Sequence, residues 1–279
     1  ALGAMIGALV FAGQFGPNTW RLAGVFTGTY SGGSVNFVSV GRGVELPDFL
    51  FAGATAADAL TTGIWLAATL MLPLWLGRFY KTPVPGQTAG GVEESHAHPF
   101  FEKIPLSTLD LANLLAVGFL LVLASEWVGG RTPGIPPVLW LTTFALVVGH
   151  LGPFRKPRGA LQLGNLALHF FFVIIGVHSR VSEILTIGME IFYYTLIVVG
   201  VHGLVVFGVG RLARLDVGSL AVASQAAVGG PSSALAVAVS REWKGLVLPG
   251  IIVGLLGYAL GNYLGFGVAY LLRGLGVGL

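Results

Sequence analysis

The stretch Thr27-Gly28-Thr29-Tyr30-Ser31-Gly32-Gly33-Ser34-Val35-Asn36 sits inside a run, residues 22–41, that contains no Asp, Glu, Lys or Arg. Hydropathy assigns such a run to a buried helix, yet its centre is glycine and hydroxyl residues, which are poor helix formers. In hydrocarbon every unpaired backbone N–H or C=O costs several kcal/mol. An interrupted helix therefore persists there only where it is buried in protein or lines a polar cavity.

The surrounding chain makes that depth real. It has 279 residues, 54% hydrophobic and 10% charged, with a mean hydropathy of +0.83, against about 25% charged residues in an ordinary soluble domain. So few charges cannot cover a water-facing surface, and the expected class is an all-α polytopic membrane protein with the lipid bilayer as its first partner. A net charge of +3 does not support a nucleic-acid partner. The absence of cysteine removes disulfides, thiolate catalysis and cysteine-ligated metals. The first residues are apolar without a basic leader, so no signal peptide is expected, and further helices are expected to precede Ala1.

Apolar runs near the length of a crossing recur at 1–20, 49–77, 111–125, 135–149, 159–179, 191–210 and 245–272, about seven full transmembrane helices at ~20 residues each. Two further runs, 22–41 and 217–240, are the glycine-rich ones. Residues 81–103 form a polar connection carrying Glu93, Glu94, His96 and His98 among prolines and glycines, and read as a solvated linker rather than a metal site. The expected organisation is a first repeat over 1–80, a linker over 81–106 and a second repeat over 107–279.

The two glycine-rich runs match. Gly32-Gly33 with Ser34, Val35 and Asn36 leads to Arg42, and Gly229-Gly230 with Pro231, Ser232 and Ser233 leads to Arg241; the displacement from Gly32 to Gly229 is 197 residues. Each is followed by a proline, Pro47 or Pro249, that opens a long apolar helix. Glycine-interrupted segments at corresponding places of two halves are the best sequence pointer to a transporter binding site. The substrate-binding candidates are Thr29, Tyr30, Ser31, Gly32, Gly33, Ser34, Asn36, Gln225, Gly229, Gly230, Ser232 and Ser233. The competing explanation is tight helix packing, for which small residues are also used.

Positive residues should lie inside, which places the loop Arg155-Lys156-Pro157-Arg158 on that side together with Arg78, Lys81, Lys103, Arg211 and Arg214. Five spans then separate the motifs. If each motif is a re-entrant hairpin the two halves are inverted; if each crosses fully they are parallel. The basic residues divide equally well in both cases. The inverted form is preferred, because it offers one central site two equivalent exits.

Asp58 is the sharpest single residue. Counted from Pro47 it lies about 15 Å along its helix at 1.5 Å per residue, near mid-membrane, where a carboxylate is costly unless paired or protonated. Thr55, Thr61 and Thr62 share its helix face, so the ion-coupling candidates are Asp58, Thr55, Thr61 and Thr62, with Na⁺ or a proton as the ion. Asp110 reads as a helix cap after Ser107, and Glu190 as a first-turn acid. His169, His178 and His202 read as packed or hydrogen-bonded, with Asn165 and His169 an i, i+4 pair. No nucleophile–base arrangement, resident metal site or organic cofactor motif is present in the sequence, and no enzyme is expected.

On Thr27 to Phe37, Ala56-Ala57-Asp58, Gly229-Gly230-Pro231 and the run from Leu248 to Gly261, the sequence resembles the YjcL-like family, membrane proteins of bacteria and plant organelles. That resemblance covers nearly the whole chain. It extends more distantly to the sodium-coupled glutamate and citrate symporters, which are inverted-repeat elevator carriers. The resemblance implies a multi-pass protein of a bacterial inner membrane, a small organic anion or amino-acid-like solute, and a homodimer or larger membrane complex. Family members often follow the Asp58 position with Asn, where this chain has Ala59. A transporter-like subunit without transport activity is the alternative reading.

Overall fold

A computed structural model of the chain describes residues 1–84, 105–151 and 181–278, and 158–160, 162–164, 166–167, 170 and 173 between the last two. The loop cluster at 155–157, the His96/His98 linker, Asn165, His169 and His178 lie outside the described residues. Among the described residues the regular structure is entirely helical. In chain order the helices are α1 (Leu2–Val10), α2 (Ala12–Phe15), α3 (Thr19–Gly32), α4 (Ser34–Gly43), α5 (Asp48–Leu76), α6 (Thr108–Gly129), α7 (Pro137–His150), α8 (Val181–Leu212), α9 (Val217–Ser240) and α10 (Lys244–Gly274). With no strands, many apolar side chains face outward on α5, α6, α8 and α10, as lipid-facing helices require. The protein is an integral, multi-pass membrane protein.

The chain groups into two compact units, residues 1–92 with 178–279, and residues 93–177. The smaller contains α6 and α7. Ser107 caps α6: its hydroxyl accepts from the Asp110 N–H at 3.1 Å, and the Asp110 carboxylate accepts from the Ser107 N–H at 3.1 Å, the reciprocal box expected from the sequence. Trp140 Nε1 donates to Thr132 Oγ1 at 2.8 Å, tying α7 to the turn before it.

In the larger unit the glycine pairs break their helices. Gly33 has φ 117° and ψ −168° between α3 and α4, and Gly230 has φ 78° and ψ −173° inside α9. Only glycine adopts these dihedrals at low cost. Both chains then fold back on themselves. Arg21 Nε, at the start of α3, donates to the Val44 carbonyl beyond α4 at 2.9 Å. A Cβ built on Gly28 would stand 2.9 Å from Val40 Cγ2, whereas an unbroken helix would separate these positions by about 18 Å. In the second hairpin Ser233 Oγ donates to the Gln225 carbonyl at 3.3 Å. Gly250 of α10 lies against both Val222 and Ala234, one from each limb of α9. By length and composition α9 could cross a membrane; the chain reverses at Gly230, so α9 is a helical hairpin. Since the chain has no native cysteine, the Gly28→Cys/Val40→Cys pair should form an intrachain disulfide on mild oxidation. A crossing helix would leave both thiols free to a maleimide.

The turns that end the return limbs repeat atom for atom. Glu45 N–H bonds to the Arg42 carbonyl at 3.1 Å and Leu46 N–H to the Gly41 carbonyl at 2.9 Å; Glu242 N–H bonds to Val239 at 3.0 Å and Trp243 N–H to Ala238 at 2.8 Å. Glu45 and Glu242 both take the left-handed conformation, φ 54° and 57°, where glycine is usual in this type of helix end. The same turn also ends α8 at Arg214, φ 58°, and α10 at Gly276, φ 73°, so it is this protein's common way of ending a helix.

The long helices carry the two hairpins in opposite order. On α5, Phe51 packs on Phe37 and Gly41 of the first hairpin, while Trp65 and Thr69 bond to Ser224 and Gln225 of the second. On α10, Gly250 and Gly254 meet the second hairpin, and Gly257, Gly261 and Gly265 meet α3 of the first. The hairpins therefore approach from opposite ends of these helices, and α5 and α10 run antiparallel. Glycines make the closest part of that packing. Gly24 and Gly28 face the carbonyls of Gly265 and Gly261, where an added Cβ would lie at 2.9 and 3.3 Å. Both ladders recur every fourth residue, the small-xxx-small pattern that lets membrane helices approach to backbone contact.

At the amino end, the run 1–20 is helical through Phe15 with an interruption at Phe11, and turns at Gly16, φ 52°. α8 is already helical at Val181, so Glu190 lies inside the helix rather than in its first turn, which corrects the sequence reading.

Candidate solute and ion site

The two hairpin tips meet. A Cβ on Gly33 would stand 3.4 Å from Gly230 Cα, and one on Gly230 would stand 3.1 Å from the Gly32 carbonyl and 2.9 Å from the Tyr258 hydroxyl. Gly32, Gly33 and Gly230 thus form one junction, with Tyr258 of α10 against it, while Gly229 packs on Ser233 and Gln225 of its own hairpin. Ser34 is exposed beside the tip, and Ser31, Ser232 and Ser233 are half-buried. Ser233 Oγ shares its one proton between the Gly230 carbonyl at 3.0 Å and the Gln225 carbonyl at 3.3 Å. The return limbs begin at this junction without an acidic residue: the first turn of α4 has none, and the second limb opens with Pro231, Ser232 and Ser233. Tyr258 had no sequence signal as a site residue beyond standing 197 residues after Thr61.

Several hydroxyls predicted to face a ligand are turned elsewhere. Thr29 Oγ1 donates to the Val25 carbonyl at 2.7 Å, Ser31 Oγ to Thr27 at 2.6 Å and Thr55 Oγ1 to Phe51 at 2.7 Å, each spending its proton within its own helix. Asn36 is fully buried and acts as a clamp. Its Nδ2 donates to the Tyr258 carbonyl and to Asn262 Oδ1, both at 2.9 Å, in the slot left by Gly32 and Gly261. Gln225 lies on the entering limb of the second hairpin and accepts from Thr69 Oγ1 at 3.2 Å. Ser224 beside it accepts from Trp65 Nε1 at 3.0 Å and pairs with His202 Nε2 at 2.9 Å, so His202 is hydrogen-bonded, as expected. Replacing Ser224 with alanine should weaken the second hairpin's docking by about 1–3 kcal/mol, because the half-buried Trp65 and His202 both lose their bond; thermal melting in detergent measures it.

A second cluster lies around Asp58, which is buried. Thr62 Oγ1 donates to its Oδ1 at 3.3 Å. The Tyr30 hydroxyl faces Asp58, Thr61 and Thr195, yet closes no hydrogen bond of good geometry. Thr61 and Thr195 share a hydrogen bond of 2.6 Å, and Thr195 also donates to the Phe192 carbonyl at 2.7 Å. Since that spends the one proton of Thr195, Thr61 is the donor between them. The structure therefore brings Asp58, Thr61 and Thr62 together as read from sequence, sets Thr55 apart, and adds Tyr30 from α3 and Thr195 from α8. Tyr30 joins the ion-type cluster rather than the tip junction. Among the described residues no group of three or more His, Asp or Glu side chains is arranged to hold a metal.

Comparison with known proteins places the chain by family. It is 27% identical over 284 residues to the uncharacterized membrane protein YjcL of Bacillus subtilis (strain 168), covering 95% of this chain and 72% of that one. No solved structure matches. These likenesses support the family resemblance and do not extend it to the sodium-coupled symporters. The family model described as protein of unknown function (DUF819) matches residues 1–275, and the chain belongs to that family.

Proposed function

We propose that the protein is a secondary active carrier of a bacterial inner membrane, not an enzyme, and that it moves a small organic anion or amino-acid-like solute coupled to Na⁺. The observation that carries this reading is the tip-to-tip meeting of the two helical hairpins at Gly33 and Gly230, which we read as re-entrant from opposite sides. Helix amino termini aimed at one point favour negative charge, and interrupted helices at a repeat interface are the recurrent location of transporter sites. The solute is held at the junction by Ser34, Ser232, Ser233 and the freed backbone groups, with Asp58 behind it. Alternation follows an elevator-type movement, in which the hairpins open to opposite sides.

Reconstitution into liposomes tests the proposal. A panel of small organic anions should contain members that stimulate ²²Na⁺ uptake, and Asp58→Asn should lower that stimulated uptake by about ten-fold or more, as removing an intramembrane carboxylate from an ion path does. Silence across the panel, with the protein co-purifying in a stable larger assembly, would instead support a transporter-like subunit.

A further inference from the structure

We infer that Tyr30, Asp58, Thr61, Thr62 and Thr195 together bind one small monovalent cation of the Na⁺ class, and that the bound ion ties the first hairpin to α5 and α8. This deepens the carrier reading and rests on it for the ion's use, though not for its binding.

The argument starts from counting protons and lone pairs. Thr195 gives its proton to the Phe192 carbonyl, Thr61 gives its own to Thr195, and Thr62 gives its own to Asp58. The Asp58 carboxylate, with about four acceptor positions, receives one long bond of 3.3 Å from Thr62 and faces the Tyr30 hydroxyl, which leaves acceptor positions over. The oxygens of Tyr30, Thr61, Thr62 and Thr195 each keep an unshared lone pair. Tyr30 is 6% exposed and Thr195 0%, so water does not make up the difference as it would at a surface. A buried carboxylate is paired with a cation or protonated, and among the described residues no Lys, Arg or His side chain contributes to its surroundings.

The donor set identifies the class of ion. All the ligating atoms are hard oxygens, which suit Na⁺ or Li⁺ and not a soft metal. One carboxylate neutralises one positive charge. A divalent ion would leave a net charge in an apolar interior, a cost of several kcal/mol. A protonated Asp58 would need one acceptor, whereas hydroxyls from three separate helices converge here.

The placement of Tyr30 supplies the consequence. It lies in α3 at a non-helical position, φ −86° and ψ 18°, close before the break at Gly33. Asp58, Thr61 and Thr62 belong to α5 and Thr195 to α8. An ion gripped by all three helices therefore holds the tip of the first hairpin in position, and its loss frees Tyr30 and the tip together.

Thermal melting of the purified full chain, without solute, tests this in NaCl, LiCl, KCl and choline chloride at equal ionic strength. Na⁺ should raise the melting temperature saturably over choline, K⁺ should not, and Asp58→Asn should abolish the response. Tyr30→Phe and Thr195→Val, which keep shape and remove one oxygen, should each raise the half-saturating Na⁺ concentration about ten-fold, equivalent to roughly 1.4 kcal/mol. Thr55→Val, whose hydroxyl is turned to Phe51, should leave it unchanged. Equal melting in Na⁺ and choline, equal effects of Na⁺ and K⁺, replacement of Na⁺ by acidification alone, or an unaltered response in Tyr30→Phe and Thr195→Val would each overturn the inference. Solute flux without a Na⁺ response would sink the ion site and spare the carrier; a Na⁺ response without any flux would do the reverse.

Discussion

The Gly257→Val protein is expected to be lost to aggregation on detergent extraction, while Gly267→Val behaves like the parent. An added Cβ on Gly257 would stand 2.9 Å from Gly32 Cα, backbone against backbone, whereas Gly267 has nothing within 4 Å. A flexible side chain could move aside; the α3 main chain cannot without withdrawing the first hairpin from α10. Overpacking of this kind costs about 3 kcal/mol or more when neither wall yields. In the bilayer no hydrophobic gain compensates, since lipid tails are as apolar as the helix surface and close van der Waals contact holds the pair. Fluorescence-detected size exclusion of both variants checks the prediction. A monodisperse Gly257→Val protein with parental melting would mean that the glycine ladder does not set the helix spacing.

Asn36→Leu is expected to lower the melting temperature strongly and to release the return limb of the first hairpin. The substitution keeps the volume and removes donors to the Tyr258 carbonyl and Asn262 Oδ1 at a position with no exposure. Losing these two hydrogen bonds from a buried site costs about 1–3 kcal/mol. Pairing it with Asn262→Leu should recover part of the loss, because both polar ends are then gone. A double-mutant cycle on thermal melting should read a coupling of about 1–2 kcal/mol. Additive losses would place Asn36 outside the clamp described above.

These two tests address different readings of the same residues. Small residues and Asn36 were read from the sequence as ligands, with packing as the competitor. The structure divides them. Gly24, Gly28 and Gly32 serve packing against α10, Asn36 locks that packing, and Gly33 and Gly230 make the tips. The helical periodicity of Gly24, Gly28 and Gly32 was visible in the sequence, but its partner ladder at Gly257, Gly261 and Gly265 stands more than two hundred residues away. Spacing along one helix does not name the helix that will face it.

By itself the sequence determined the environment, the two breaks and their repetition. Charge content decides whether a surface can face water, glycine pairs in a charge-free run must interrupt a helix, and the displacement of 197 residues is read directly. It also marked Asp58, because a carboxylate at that depth is costly wherever the chain turns. Only the tertiary structure decided that each break is a reversal rather than a crossing. Hydropathy measures depth and is blind to direction, and the basic residues balanced equally well either way. The contacts Arg21–Val44 and Ser233–Gln225 remove that degeneracy. It likewise decided the company of Asp58, taking Tyr30 from α3 and Thr195 from α8 and turning Thr55 away. Which oxygens converge on a buried charge depends on how separate helices are rotated against one another, and that rotation is set by packing over the whole unit.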